Sequence, residues 1–214
     1  KVLFPIVDRS YARTYTKKTL VNQTVLSDFN IVKCLTCSHV YISPMPEQSF
    51  LDAFYTQYLG LKPDTDFYKD HFQTDYSNFE FSQKMEARCK KIRTILSGEH
   101  PLRLCDVGCG TGVFLHIAKR YGFSVWGVEI NKELADFAKK NFSVDVSCAK
   151  LEEIKFPSDF FDAIALWDLI EHLPSPSILL KEINRILKKE GLIVIETHNI
   201  DSLLHRLALF CYYG

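Results

Sequence analysis

The amino-acid sequence predicts an α/β fold, a doubly wound and mainly parallel sheet with a small β-rich appendage at its N-terminal end. Three observations predict it. From Leu102 onward, apolar runs of strand length alternate with stretches of helical periodicity. The first of those strands meets the first helix through a turn containing Gly108, Gly110 and Gly112. Residues 1–48, by contrast, carry short β-branched runs and little helical pattern.

The elements follow in chain order. Thr19-Leu20-Val21, Asn30-Ile31-Val32-Lys33 and His39-Val40-Tyr41-Ile42 read as strands, punctuated by Pro44 and Pro46. From Ser49 the spacing of Phe50, Leu51, Phe54, Tyr55 and Tyr58 is helical. Residues 60–75 read as loop or short helices. Phe81, Met85, Cys89, Ile92 and Leu96 mark one face of a long helix. The strands expected next are Leu102–Val107, Ser124–Glu129, Val144–Cys148, Phe161–Trp167 and Leu192–Glu196. The helices expected between them are Val113–Tyr121, Lys132–Asn141 and Ser177–Lys189, the last stopped by Gly191. Leu203–Tyr213, interrupted by His205 and Arg206, reads as part of an amphipathic helix. The organisation is therefore a β-rich segment over 1–48, a helical cap or linker over 49–100 and a ligand-binding domain over 101–214.

Bulk properties exclude several function classes. Lys and Arg number 26 and Asp and Glu 26, so no global field attracts nucleic acid or an anionic membrane. No apolar stretch is long enough to span a bilayer. Lys1-Val2-Leu3-Phe4-Pro5 lacks the basic region and long apolar run of a secretory leader. The seven cysteines are odd in number and unevenly spaced, which fits a reducing, cytoplasmic compartment better than a disulfide framework.

Chemistry concentrates at the ends of the expected strands, where an open parallel sheet binds its ligand. Asp106-Val107-Gly108-Cys109-Gly110-Thr111-Gly112 lets backbone approach a ligand closely and opens directly into a helix. The dinucleotide fingerprint G-x-G-x-x-G is broken by Val113 at its sixth position. The second strand, Val125-Trp126-Gly127-Val128-Glu129, ends in a carboxylate that suits a pair of ribose hydroxyls. Ile130 is placed to cover a face of the adenine.

The G-x-G-x-G loop with Asp106 two residues before it resembles motif I of class I S-adenosylmethionine (SAM) dependent methyltransferases. Phe161-Asp162 before the fourth strand, Trp167 at its end and Glu171-His172-Leu173 after it resemble the group that includes the ubiquinone-biosynthesis O-methyltransferases. The resemblance implies a Rossmann-like methyltransferase fold, SAM as cofactor, S-adenosylhomocysteine (SAH) as product and a small-molecule methyl acceptor. It implies cofactor contacts from Asp106, Gly108, Cys109, Gly110, Gly112, Glu129, Ile130, Leu151 and Trp167. Relatives often have Asp where Lys150 stands, and Leu151 reads equally as adenine contact or as core. His172 is the candidate general base, with a structural histidine as the alternative reading. His198 stands where Pro is usual and reads as pocket lining or as a tolerated loop residue.

The family fold ends with two further strands forming an antiparallel pair at one edge. Residues 197–214 are too few for a helix and two strands, so the expectation is a fragment or an edge built differently. Cys34-Leu35-Thr36-Cys37 resembles the second knuckle of a zinc ribbon, with Ser38 in place of the usual Gly. A closed zinc site takes four ligands, and Cys34, Cys37 and His39 supply at most three. A vestigial or truncated ribbon is the favoured reading over bound zinc. Two other functions compete with methyl transfer: a non-catalytic SAM- or nucleoside-binding module, and an NAD-dependent oxidoreductase that the Val113 break disfavours.

Overall fold

The computed structural model describes residues 2–5, 30–37, 39–53, 55–56, 79–96, 101–197 and 199. These fall into two compact units, one within residues 1–61 and one within 62–214. The expected strand at Thr19–Val21, the loop at 60–75, His198 and the tail at 203–213 lie outside the described residues.

The first unit holds a three-stranded antiparallel sheet in the order β1 (Val2–Pro5), β2 (Asn30–Lys33), β3 (Val40–Ser43), followed by helix α1 (Gln48–Ala53). β2 and β3 pair from Asn30↔Ser43 to Lys33↔Val40. The turn between them carries Cys34 and Cys37, and the Cys34 N–H donates to the His39 carbonyl at 2.8 Å.

The second unit opens with the long helix α2 (Phe79–Ile95), then alternates strand and helix. β4 is Leu102–Val107, α3 Val113–Arg120, β5 Phe123–Val128, α4 Lys132–Phe142 and β6 Asp145–Ser147. β7 (Phe161–Trp167), α5 (Pro176–Ile186) and β8 (Leu187–Glu196) complete it. The strand order β6-β5-β4-β7-β8 is parallel throughout, as crossover helices require. This is the mainly parallel Rossmann-like sheet that the sequence predicts. Its order reverses between β4 and β7, so the binding crevice belongs at the C-terminal ends of those two strands.

Two apolar layers sandwich the sheet. Met85, Cys89 and Ile92 of α2 and Phe114, Leu115 and Ile117 of α3 pack with Leu104, Ala163 and Ala165 on one face. Leu179, Ile183 and Ile186 of α5 pack with Cys105, Val107, Ile164 and Leu166 on the other. Alternation along β4 thus sends Leu104 and Asp106 to the α2 face, Cys105 and Val107 to the α5 face. Each fully buried Leu or Ile stabilises the fold by about 1.5–3 kcal/mol.

One boundary differs from expectation. The periodicity predicts a helix to Lys189, yet α5 stops at Ile186 and β8 begins at Leu187. Leu187 is extended (φ −80°, ψ 136°) and lies opposite Phe161 on β7. The Lys188 ammonium sits 2.6 Å from the Asp162 carboxylate. Pairing with β7 therefore ends the helix before Gly191 can. Gly191 serves instead as the point of close return, since a Cβ there would lie 2.7 Å from the Leu187 side chain.

Candidate functional site

The glycine turn is built by backbone geometry. β4 hands over to it with the N–H groups of Gly108 and Cys109 both donating to the Val128 carbonyl, at 2.8 and 3.1 Å. Gly112, at φ +79°, starts α3, and no side chain caps that helix. A Cβ on Gly112 would sit 2.7 Å from the Ala138 Cβ, so the turn packs directly on α4. Gly110 is the opposite case. It also has positive φ (+53°), but a Cβ there meets nothing within 4 Å. One glycine is needed for packing, the other faces open space where a ligand's backbone contacts would lie.

Glu129 follows β5 and closes over this turn. It is 8% exposed. One carboxylate oxygen accepts the Gly110 N–H at 2.9 Å and the other the Asn131 N–H at 2.8 Å. Burial pushes its carboxyl up from the ordinary range, against the pull of the Asn131, Gly110 and Ile130 N–H groups. Asn131 is fixed in turn as the cap of α4, its side-chain oxygen accepting from Glu133 and Leu134 N–H at 3.0 and 3.2 Å. Ile130, half-buried, flanks the carboxylate.

Asp106, next to last in β4, lies on the α2 face, 2% exposed, with its Oδ1 lacking any partner. Burial pushes its carboxyl well above the usual carboxylate range; the Arg88 guanidinium pulls it down and Glu129 pushes it up. Trp167 ends β7, half-buried, with an unpartnered indole Nε1 and Phe114 edge-on at 5.1 Å. Asp168, next in the chain, adopts φ +49°, a strained conformation for a residue with a side chain. Its N–H donates to the Glu196 carbonyl at 2.9 Å. The loop then turns through the 3-10 segment Ile170–His172, where His172 is exposed. This loop rests on the glycine turn, because a Cβ on Gly108 would lie 3.1 Å from Leu169 Cδ1.

The structure therefore gathers Asp106, Gly108, Gly110, Gly112, Glu129, Ile130 and Trp167 along the C-terminal edge of the sheet, with His172 on the loop beside them. Two of the expected contact residues turn their side chains into the core. Cys109 turns its sulfur inward, 2.7 Å from where a Cβ on Gly127 would be, leaving only its backbone to the site. Leu151 is 1% exposed and packs in the α5-side core, so its side chain offers almost no surface to an adenine. Arg88, Asn131 and Glu196 escaped the sequence reading. Asn131 had a visible signal, since Asn before a helical run is a cap.

The knuckle-like turn carries Cys34 and Cys37, with His39 just beyond it. Cys37 and Thr36 N–H groups and the Cys37 thiol draw the Cys34 thiol down to about 7. The His39 ring lies parallel to Tyr41, centroids 6.0 Å apart. Among the described residues, no three or more His, Cys, Asp or Glu side chains gather as a metal site. Nor is any helix among them long and apolar enough to cross a membrane.

A buried carboxylate closing a glycine turn, at the switch point of a parallel sheet, is the arrangement of a doubly wound nucleoside-binding domain. Residues 81–214, more than half of the chain, match the family described as methyltransferase domain, and the chain belongs to that family. The ubiquinone biosynthesis O-methyltransferase of Coxiella burnetii is 30% identical over 109 residues, 49% of this chain and 45% of that protein. The chain thus aligns with about half the length of the curated relatives it matches. A SAM-dependent methyltransferase from Archaeoglobus fulgidus superposes with TM-score 0.52 and 27% identity, covering 67% of this chain and 64% of that one. The plantazolicin methyltransferase in complex with SAH shares the fold, with TM-score 0.56, 20% identity and coverage of 74% and 61%.

Proposed function

We propose that the chain transfers a methyl group from SAM to a small-molecule acceptor by in-line displacement, leaving SAH. The observation that carries this reading is the Glu129 carboxylate closed onto the Gly110 N–H at 2.9 Å, beside a Gly110 face open beyond 4 Å. The donor set fits the cofactor. Glu129 keeps lone pairs for both ribose hydroxyls while its present bonds hold it in place. The open face of Gly110 admits the ligand against backbone, and Ile130 covers a face of the adenine. Asp106 and the Trp167 indole N–H supply one buried acceptor and one buried donor that still lack partners. Bound there, SAM supplies a methyl group activated by its sulfonium.

The chain's own work is then alignment, which accounts for most of what such a displacement needs. Trp167, Asp168 and the following turn form the wall at which an acceptor meets the donor. His172 on that turn takes the acceptor proton. In this reading residues 101–214 form the cofactor domain, 49–100 a helical cap or linker, and 1–48 a β-rich, zinc-ribbon-like segment. The six free cysteines among the described residues support a reducing, cytoplasmic setting. Charge balance supports a small-molecule partner rather than nucleic acid.

Calorimetry tests the cofactor: SAM and SAH bind in the micromolar range, about −8 kcal/mol, and NAD gives no heat. NAD binding without SAM overturns the reading. Labelled SAM with candidate acceptors then reads transfer by mass. In that assay His172→Ala lowers the rate by about 10²–10⁴-fold with SAM affinity unchanged. Normal turnover in the variant removes His172 from the chemistry and leaves the cofactor assignment standing.

A further inference from the structure

Cys34-Leu35-Thr36-Cys37 is the motif that methyl transfer leaves unused. It lies in the first unit, where the chain turns from β2 to β3. Leu35, Thr36 and Cys37 are turn residues, and the Cys34 N–H closes the loop onto the His39 carbonyl at 2.8 Å. Both cysteines are free thiols, Cys34 half-buried and Cys37 exposed. Leu35, between them, is 83% exposed, so the turn is open to small solutes. Cys89, Cys105 and Cys109 are by contrast buried in the core of the second unit. Cys148 is exposed, with its sulfur 3.7 Å from the Ile130 carbonyl.

Strand pairing alone explains a turn here, and any polar residues could fill it. It does not explain two thiols set face to face. The first and last residues of a four-residue turn have Cα atoms within about 7 Å. A disulfide spans Cα atoms about 4.4–6.8 Å apart. The turn therefore already holds the two backbones at bridging distance. The side chains agree: the Cys37 thiol is directed at the Cys34 sulfur, together with the Cys37 and Thr36 N–H groups and the Thr36 hydroxyl. Donors gathered on a sulfur favour its thiolate, the form that attacks a disulfide.

We propose that Cys34 and Cys37 form a dithiol site, oxidised reversibly to a disulfide across the turn by low-molecular-weight disulfides of the glutathione class. The Cys34 thiolate attacks one sulfur of the oxidant. The oxidant's S–S bond breaks, a mixed disulfide forms on Cys34, and one glutathione leaves as thiolate and takes up a proton. Cys37 then gives up its proton and attacks the Cys34 sulfur. The Cys34–Cys37 bond forms, and the second glutathione leaves and is protonated. The protein loses two electrons and two protons, and the oxidant becomes two thiols. Excess reduced glutathione runs the same steps backward, as a reducing compartment requires of a transient disulfide.

The test equilibrates the full chain in mixtures of reduced and oxidised glutathione, quenches with acid, alkylates the remaining thiols and maps the peptides by mass. As the oxidised share rises, the peptide holding Cys34 and Cys37 loses two hydrogens and escapes alkylation. Excess reduced glutathione restores both thiols. Cys148, on the same chain, is alkylated or carries glutathione. Cys37→Ser stops at the mixed disulfide on Cys34. A wild-type pair alkylated at every ratio overturns the proposal. So does a wild type that stops at mixed disulfides, which marks two independent thiols. Zinc held by the purified chain that blocks oxidation until a chelator removes it also overturns the proposal and assigns the pair to a metal. If Cys37→Ser does not fold, the wild-type peptide decides alone, because it reads the bond directly. None of these failures touches the methyl-transfer reading, which calorimetry with SAM tests separately.

Discussion

Two pairs of carboxylates, at opposite edges of the parallel sheet, are held in opposite ways. At the N-terminal edge, Asp162 takes the Lys188 ammonium at 2.6 Å and the Arg103 N–H at 2.8 Å, and these hold it below the usual range although partial burial pushes it up. Glu182 is likewise held low by the Arg185 guanidinium, which also reaches Ser158 and the Phe156 carbonyl. At the C-terminal edge, Asp106 and Glu129 are both pushed up, above all by burial. One pair is met by cations and the other is not, although Glu196 at the same C-terminal edge is held low by Lys84 and Arg88. The contrast teaches that a carboxyl buried without a close cation is raised, and a group left so at a strand's C-terminal end is a candidate to meet a ligand.

The sharpest way to break the comparison is Glu129→Ala. It removes a charge-assisted pair of bonds worth on the order of 1.5–3 kcal/mol, so SAM affinity falls about tenfold to a hundredfold while the fold stays intact. An unchanged dissociation constant places the ligand elsewhere. Gly110→Ala comes next. No clash opposes it, and the cost of positive φ is about 1 kcal/mol in thermal or chemical unfolding. Its affinity loss should exceed that cost, because the new methyl group occupies the ligand's side of the turn. At the other edge, Asp162→Ala lowers stability by about 1 kcal/mol and leaves SAM affinity alone. Affinity that fell with it would dissolve the distinction between the edges.

The smallest effect is the most diagnostic. Asp106 is raised in the folded state, so its contribution to stability is full below the unfolded value of about 3.9 and is lost as pH rises through the folded value. Asp106→Asn does not titrate. The ligand-free variant therefore matches wild type in acid and gains on it as pH rises above the unfolded carboxyl's range toward neutrality and beyond. Thermal unfolding of both proteins across pH reads the difference directly. An equal melting difference at all pH values shows that the Asp106 carboxyl titrates alike in the folded and unfolded states.

What the sequence made legible is the part written in periodicity. β4 and β7 are buried on both faces and therefore read as apolar runs, and the charge that follows the β5 run at Glu129 is conspicuous. Phe161–Trp167 was readable to the residue. The end of α5 was not, because it is set by Leu187 pairing across to Phe161, a contact between chain segments rather than a local preference. Leu151 stayed open between core and adenine contact for a related reason: a 3-10 turn has no face periodicity from which to tell core from pocket. Arg88 was hidden by its apolar neighbours. Its presence on the Met85–Cys89–Ile92 stripe was itself the clue, since a charge on a core face needs a partner from elsewhere in the fold.

Gly127 carries one more consequence, in the currency of descent. A Cβ at this position would meet Cys109 Sγ at 2.7 Å, Leu115 Cδ1 at 2.8 Å and Val146 Cγ2 at 2.9 Å. Three side chains from three different elements would each have to retreat to admit one methyl group, and single substitutions cannot arrange that. Gly127 is thus frozen as long as the other three keep their size. The inward sulfur of Cys109 also marks how lineages could differ. Sequences with a smaller residue at 109 gain part of the room for alanine at 127, and bulk at the two positions should trade across relatives, joined by volume alone.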